Sequence, residues 1–256
     1  MENLTVPPTG QYGGFVNHSP HHFRASGLQI HWRCHTTKGE CYMFVPGHYR
    51  ESDVSWMVDL MRENPLALMA SNGSSADGPF ATHLPVITDP RWEELPAPDL
   101  AGMPLLGHMN RANPHWAALD TGTVILLTFT GPHAYVSPAV YGVTPAAPTW
   151  NFTSVHVHGV VERINSTEDT LGVVQATVRA FEKEFGEGWD MSESVDYFRK
   201  IVPGVGAFRV RVTKAEGMFK LSQEQRSEVR ERVVRSFAAR GCTRHAQTAD
   251  LMSRLP

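Results

Sequence analysis

Apolar and polar positions along the chain change period several times, and each change marks an element. Leu66–Ser71 and Phe80–Thr88 read as strands, joined by a turn region rich in Asn-Gly, Ser and Asp-Gly. Thr123–Thr130 is a short apolar run of the kind found in a buried strand, and Tyr135–Tyr141 reads as another. Trp150–Ile164 is the longest strand, with Trp150, Phe152, Ser154, His156 and His158 on one face. Phe208–Leu221 alternates as a hairpin turning near Glu216-Gly217.

Helical spacing marks other segments. Ser52 caps a helix whose face carries Trp56, Met57, Leu60 and Met61, and Asn64-Pro65 closes it. Asn113–Leu119 reads as a short helix with Asn113 as cap and Pro114 in its first turn. Leu171, Val174, Val178, Phe181 and Phe185 recur at spacings of three and four before Gly186 stops the helix. Ser192–Lys200 forms another short one. Ser222 and Gln225 make a capping-box pattern ahead of a final helix with Val229, Val233, Val234 and Phe237 inward. Asp89–Pro104 is a proline-rich loop. Residues 1–40 are rich in Pro, Gly and His without periodicity and read as an N-terminal extension, which leaves 41–256 as the folded domain with its C-terminal helices. The sum is a β-rich α+β fold, a barrel with helices packed around it rather than an alternating βαβ chain.

Composition narrows the function. The 256 residues hold 23 basic and 26 acidic side chains, a net charge of −3. That balance argues against a direct DNA binder. The arginines of the last helix, Arg226, Arg230, Arg232 and Arg235, alternate with Glu228 and Glu231 as on a solvated face. Three cysteines make no disulfide scaffold. The apolar run Val124–Phe129 is too short for a membrane span, and Met1–Gly14 lacks the pattern of a signal peptide. A cytoplasmic protein is expected. No GxGxxG or GxxxxGK[ST] motif is present, which disfavours dinucleotide and P-loop folds.

Four clusters carry candidate chemistry. Gly107-His108-Met109-Asn110-Arg111-Ala112-Asn113-Pro114-His115-Trp116 sets a guanidinium and an imidazole beside a helix start, a natural anion site. Gly131-Pro132-His133-Ala134-Tyr135-Val136-Ser137-Pro138 and Pro148-Thr149-Trp150-Asn151-Phe152 set aromatic rings beside hydroxyls and amides, which suits a flat ligand with polar edges. Lys220, in Met218-Phe219-Lys220-Leu221-Ser222-Gln223, suits a phosphate as a point charge. The opposing readings are a solvated loop, core-filling aromatic residues and a strand-end lysine. His156 and His158 at spacing two read as a sheet surface rather than a metal site. His31, Cys34, His35 and Cys41 lack zinc or haem spacing, and Ser137 lacks a GxSxG elbow. No metal is expected.

In this order the clusters resemble one family. Gly107–Trp116 is similar to its GHxARANPxW signature, and Ser137-Pro138 with Pro148-Thr149-Trp150-Asn151 to its ISPxWY…VPTWNY block. Asn64-Pro65-Leu66 and Ala81-Thr82-His83-Leu84-Pro85 match its hPxA…ATHLP segment, and Lys220-Leu221-Ser222-Gln223 its KLSQN ending. These are the PaiB-type FMN-binding split-barrel proteins, often described as FMN-binding negative transcriptional regulators, and the resemblance runs from about Met43 to near the C-terminus. It implies a six-stranded split β-barrel that forms a homodimer, with FMN in a groove between two subunits. Mapped onto this chain, Arg111, Lys220 and Ser137 fall near the phosphate or ribityl chain. His108, Asn113, Trp150 and Gln223 fall along the ring or ribityl.

The chain also departs from the family. Asn110 stands where Ala is usual, Val140 where Trp is usual, and Gly142-Val143-Thr144 where a Lys is usual. GKWK becomes Gly217-Met218-Phe219-Lys220, and the asparagine of KLSQN becomes Glu224. Two lysines are thereby lost from the phosphate side. Three functions follow. The first is an FMN-dependent oxidoreductase acting on a small organic molecule of the secondary-metabolite kind, with His108, Tyr135 and His133 as proton donors. The second is the FMN-binding regulator. The third is a haem-binding or cofactor-free split-barrel enzyme.

Overall fold

The structure is a computed structural model that describes residues 43–72, 78–94 and 96–255. The fold described below is that of the unit beginning at Met43. The extension 1–40, with His31, Cys34 and His35, lies outside the described residues, as do Cys41 and most of the turn between the first two predicted strands.

In chain order the elements are β1 (Arg50–Glu51), α1 (Val54–Glu63), β2 (Leu66–Ser71), β3 (Phe80–Thr88), β4 (Pro104–Asn110), α2 (Pro114–Ala118), β5 (Val124–Val136), β6 (Thr149–Ile164), α3 (Thr167–Glu184), α4 (Val195–Ile201), β7 (Val205–Lys220), α5 (Ser227–Ala238) and α6 (Thr243–Ser253). Every strand pairing is antiparallel. The order β7-β4-β3-β2-β5-β6 closes on itself, because β6 also pairs with β7, and β1 adds two residues to β7. Six strands thus make the barrel that the resemblance implies. Closure removes the free edges that an open antiparallel sheet would present.

Alternation drives the barrel. In β2 the inward Ala67 and Met69 are fully buried while the outward Leu66 is 64% exposed. Phe129, Val155, Val157 and Phe208 fill the interior from β5, β6 and β7. Burying each such side chain stabilises the fold by about 1.5–3 kcal/mol. α1 lays Met57, Leu60 and Met61 on the core, and α5 and α6 add Val233, Phe237 and Met252. No helix among the described residues is long and apolar enough to cross a membrane.

Several local expectations change. β7 is one strand of 16 residues, not a hairpin. Gly217 lies mid-strand because a Cβ there would stand 3.0 Å from both Glu51 Cβ and Met57 Cγ, so the glycine admits β1 and α1 to the strand. β5 runs through a bulge between Thr130 and His133 to Val136, and Ser137 then caps a 3-10 turn instead of sitting inside a strand. Asp53, not Ser52, caps α1, accepting from the Ser55 N–H. Ser222 does not cap α5, which starts at Ser227 after Arg226 without a side-chain cap. Ser222 has φ +65° and is buried, bonded to Asn151. α3 buries Thr170, Leu171, Val173 and Thr177, a face rotated from the predicted stripe. β4 and α6 add elements the hydrophobic pattern did not mark.

Candidate functional site

The predicted site residues fall into two groups at opposite ends of β7. The first lies where β5 ends and β6 begins. Register sets Tyr135 opposite Trp150 and His133 opposite Phe152. The Trp150 indole N–H donates to His133 Nδ1 at 3.2 Å. Its ring centroid is 5.9 Å from those of both His133 and Tyr135. Because Nδ1 accepts, neutral His133 carries its proton on Nε2 and keeps a donor for another group. Trp150 is 46% and Tyr135 42% exposed, so the rings form an open platform rather than core. Lys220, at the end of β7, pairs in register with Phe152. Its ammonium donates to the Thr149 hydroxyl and lies 5.6 Å from the centre of the Tyr49 ring. Burial and the neighbouring Glu224 carboxylate push the Tyr49 hydroxyl well above the ordinary tyrosine range. Burial and Glu224 raise Tyr141 too. Gln223 uses both ends of its amide locally, accepting from Leu221 N–H at 2.6 Å and donating to the Phe219 carbonyl. The Ser137 hydroxyl accepts from Ala139 N–H at 3.3 Å.

The second group surrounds the end of β4. Asn110 pairs with Val205, the first residue of β7, and His108 with Ala207. Arg111 donates through Nε to the Val205 carbonyl at 2.8 Å, and its guanidinium lies 5.8 Å from the centre of the Trp116 ring. Asn113 caps α2, accepting from His115 N–H at 3.0 Å, and donates to Thr82 Oγ1 at 3.3 Å. His108 Nδ1 is buried without a hydrogen-bond partner. Burial also holds this imidazole below its ordinary pKa, so it is neutral at pH 7. A buried, unpartnered nitrogen is costly unless something meets it.

Sequence reasoning passed over His115. It is 1% exposed and joins Ser71 Oγ and Thr82 Oγ1, each at 2.9 Å, while stacking 5.2 Å from Phe80. Much of Gly107–Trp116 therefore builds a rigid corner. Its one exposed cation is Arg111. Tyr49 and Glu224 were also missed as site neighbours, because only the fold brings residue 49 to the end of β7.

Arg111 and Lys220 do not meet within one chain. Fifteen strand steps separate Val205 from Lys220, about 50 Å if straight. No group of three or more His, Cys, Asp or Glu with metal-binding geometry occurs among the described residues.

Comparisons with known proteins agree with this architecture. The family described as "Putative FMN-binding domain" matches residues 43–214, which leaves Lys220 and Gln223 beyond the matched stretch. "Protease synthase and sporulation protein PAI 2" of Bacillus subtilis is 24% identical over 187 residues, covering 72% of this chain and 83% of the relative. An uncharacterized protein of Emericella nidulans is 24% identical over 228 residues, covering 76% and 90%. The solved FAD and heme binding protein from Mycobacterium smegmatis shares the fold with a TM-score of 0.51 at 15% identity, over 72% of this chain and 78% of that one. With its closed antiparallel barrel and the GHxxRANPxW corner in place, the chain belongs to the PaiB-type FMN-binding split-barrel family.

Proposed function

We propose that the chain is an FMN-dependent oxidoreductase acting on a small organic substrate, and that two copies of it complete each cofactor site. The observation that carries this reading is the separation of the two groups along β7. Each group is half of a flavin site. One offers aromatic rings, a hydroxyl and an ammonium. The other offers a guanidinium and a buried imidazole nitrogen without a partner. Such an orphaned nitrogen and an exposed indole fit a flat ring with polar edges. The outer face of β2 and β5 favours a second copy: Leu66 and Val124 are 64% and 65% exposed there, beside half-buried Leu68 and Leu126. A C2 dimer presents such a face to itself.

In this reading Lys220 and Ser137 hold the phosphate and ribityl chain, Trp150 lies along the ring, and Arg111, Asn113 and His108 come from the other copy. Gln223 fixes the turn that carries Lys220. FMN supplies hydride chemistry when bound. The chain supplies proton handling: His133 keeps a donor on Nε2, Tyr135 offers a phenol, and neutral His108 offers an acceptor. Direct DNA binding is disfavoured, since Arg232 is held by the Tyr141 carbonyl and Arg235 pairs with Glu231.

Subunit complementation tests the reading. Arg111→Ala and Lys220→Ala proteins should each bind FMN poorly. Co-expressed, they should recover about a quarter of wild-type sites, the share that statistical pairing leaves intact. No recovery would place both residues in one protomer's site or outside it, and would overturn the two-copy arrangement.

A further inference from the structure

A cavity apart from both groups lies between α1 and the last turns of α3. The helix buries no residue after Thr177, although Val178, Ala180 and Phe181 follow. Against Ala180 and Phe181 lies a slot of about 460 Å³, whose other walls include the buried Met61, Val86 and Leu105. That volume lies within the roughly 300–1,000 Å³ typical of small-molecule sites, and such walls suit a hydrocarbon chain.

Three charged side chains line the slot: Arg62, Lys183 and Glu184. Arg62 and Glu184 neutralise each other across the two helices at 2.5 Å. Arg62 also holds Asp59 at 3.1 Å and Glu63 at 3.2 Å, two half-exposed carboxylates outside the lining. Lys183 differs, since it makes no ion pair or hydrogen bond with any described residue. The carboxylates beside it in sequence are engaged elsewhere, Glu184 with Arg62 and Glu182 with the Trp189 N–H at 3.2 Å. Arg179, one turn earlier, is likewise without a partner among the described residues, and like charges four positions apart oppose each other on a helix. The carbonyls of Phe181 and Glu182, which would repel an anion at the end of the helix, already accept from the Phe185 and Gly186 N–H groups. The lining thus leaves one uncompensated charge, the Lys183 ammonium, beside an apolar slot.

We propose that this slot binds a small amphipathic carboxylate, the anion of a medium-chain fatty acid, with its hydrocarbon chain along Met61 and Leu105 and its carboxylate on Lys183. The inference is independent of the flavin reading. Neither Lys183 nor Ala180 belongs to the flavin groups.

Decanoate, decanol and decylamine, kept below micellar concentrations, test it by calorimetry on the full chain. The Met61 methyl carbon signal, assigned with Met61→Leu, reports where binding occurs. Decanoate should bind saturably and shift that signal, decanol should bind about tenfold more weakly, and decylamine more weakly still. Lys183→Gln should reduce decanoate affinity to that of decanol and leave decanol unchanged, while Lys183→Arg should keep decanoate binding. Ala180→Phe should abolish both by filling the slot, with Ala180→Leu as the milder filler if that protein fails to fold. Equal or tighter binding of decanol or decylamine, an unmoved Met61 signal, unchanged decanoate affinity in Lys183→Gln, or no binding of any probe would overturn the proposal.

Discussion

Trp150 donates its indole N–H to His133 Nδ1 at 3.2 Å, across the β5–β6 ladder and in the open. Exposed pairs of this kind add little to stability. Trp150→Ala should therefore leave the thermal midpoint within a few degrees of wild type while weakening FMN binding by about tenfold or more, since an aromatic face is lost. Flavin fluorescence titration beside a thermal scan separates the two. A large loss of stability with unchanged FMN affinity would make the pair structural.

Glu224 stands where the family has asparagine, and its carboxylate adds to burial in raising Tyr49, whose ring lies beside Lys220. Glu224→Asn removes a charge that holds the Tyr49 proton on and that repels a phosphate. The Tyr49 pKa should fall toward the ordinary tyrosine range, read by ultraviolet titration. FMN affinity should rise while riboflavin affinity stays unchanged. A parallel rise for riboflavin would separate Glu224 from the phosphate.

Burial holds His108, His115, His156 and His158 below the ordinary 6.5, with His158 adding to the shift at His156 and Lys214 to that at His158. A depressed folded-state pKa means that the unfolded chain takes up protons first. The stability involved is fully present above about pH 6.5 and is lost as pH falls through the folded-state values. Urea midpoints should be flat from pH 8 to 7 and decline toward pH 5, with a shallower decline in His108→Asn. A midpoint rising on acidification would contradict the sign.

Gly206 packs under Trp116, and a Cβ there would lie 2.5 Å from the indole. Gly206→Ala should destabilise by about 1–3 kcal/mol. A Cβ at Gly204 meets nothing within 4 Å, so Gly204→Ala is the tolerated control. Chemical denaturation of the two proteins gives the comparison, and equal midpoints would mean that the Trp116 corner yields freely.

The sequence made β2 and β3 legible to the residue, because alternation and flanking turn residues act locally. It also showed Asn113 as the α2 cap. It misled at Gly217, where a glycine that admits Met57 looks the same as one that turns the chain. That error had consequences for the site. A hairpin would have folded Lys220 back along the strand, whereas the single β7 carries it to the end opposite Arg111. α3 misled for a related reason. Its spacing marks an amphipathic helix, but the buried face is Thr170, Leu171, Val173 and Thr177, and only the tertiary path reveals that rotation. α6 escaped notice because Thr248, Ala249 and Met252 bury a face too small to show as a period.

The absorption spectrum of the purified protein, followed by denaturation and identification of what is released, tests the central claim most directly. Paired near-ultraviolet and blue bands with free FMN in the supernatant, or saturable FMN uptake by colourless protein, is the predicted result. A Soret band with released haem, or a colourless protein that FMN does not titrate, would contradict it.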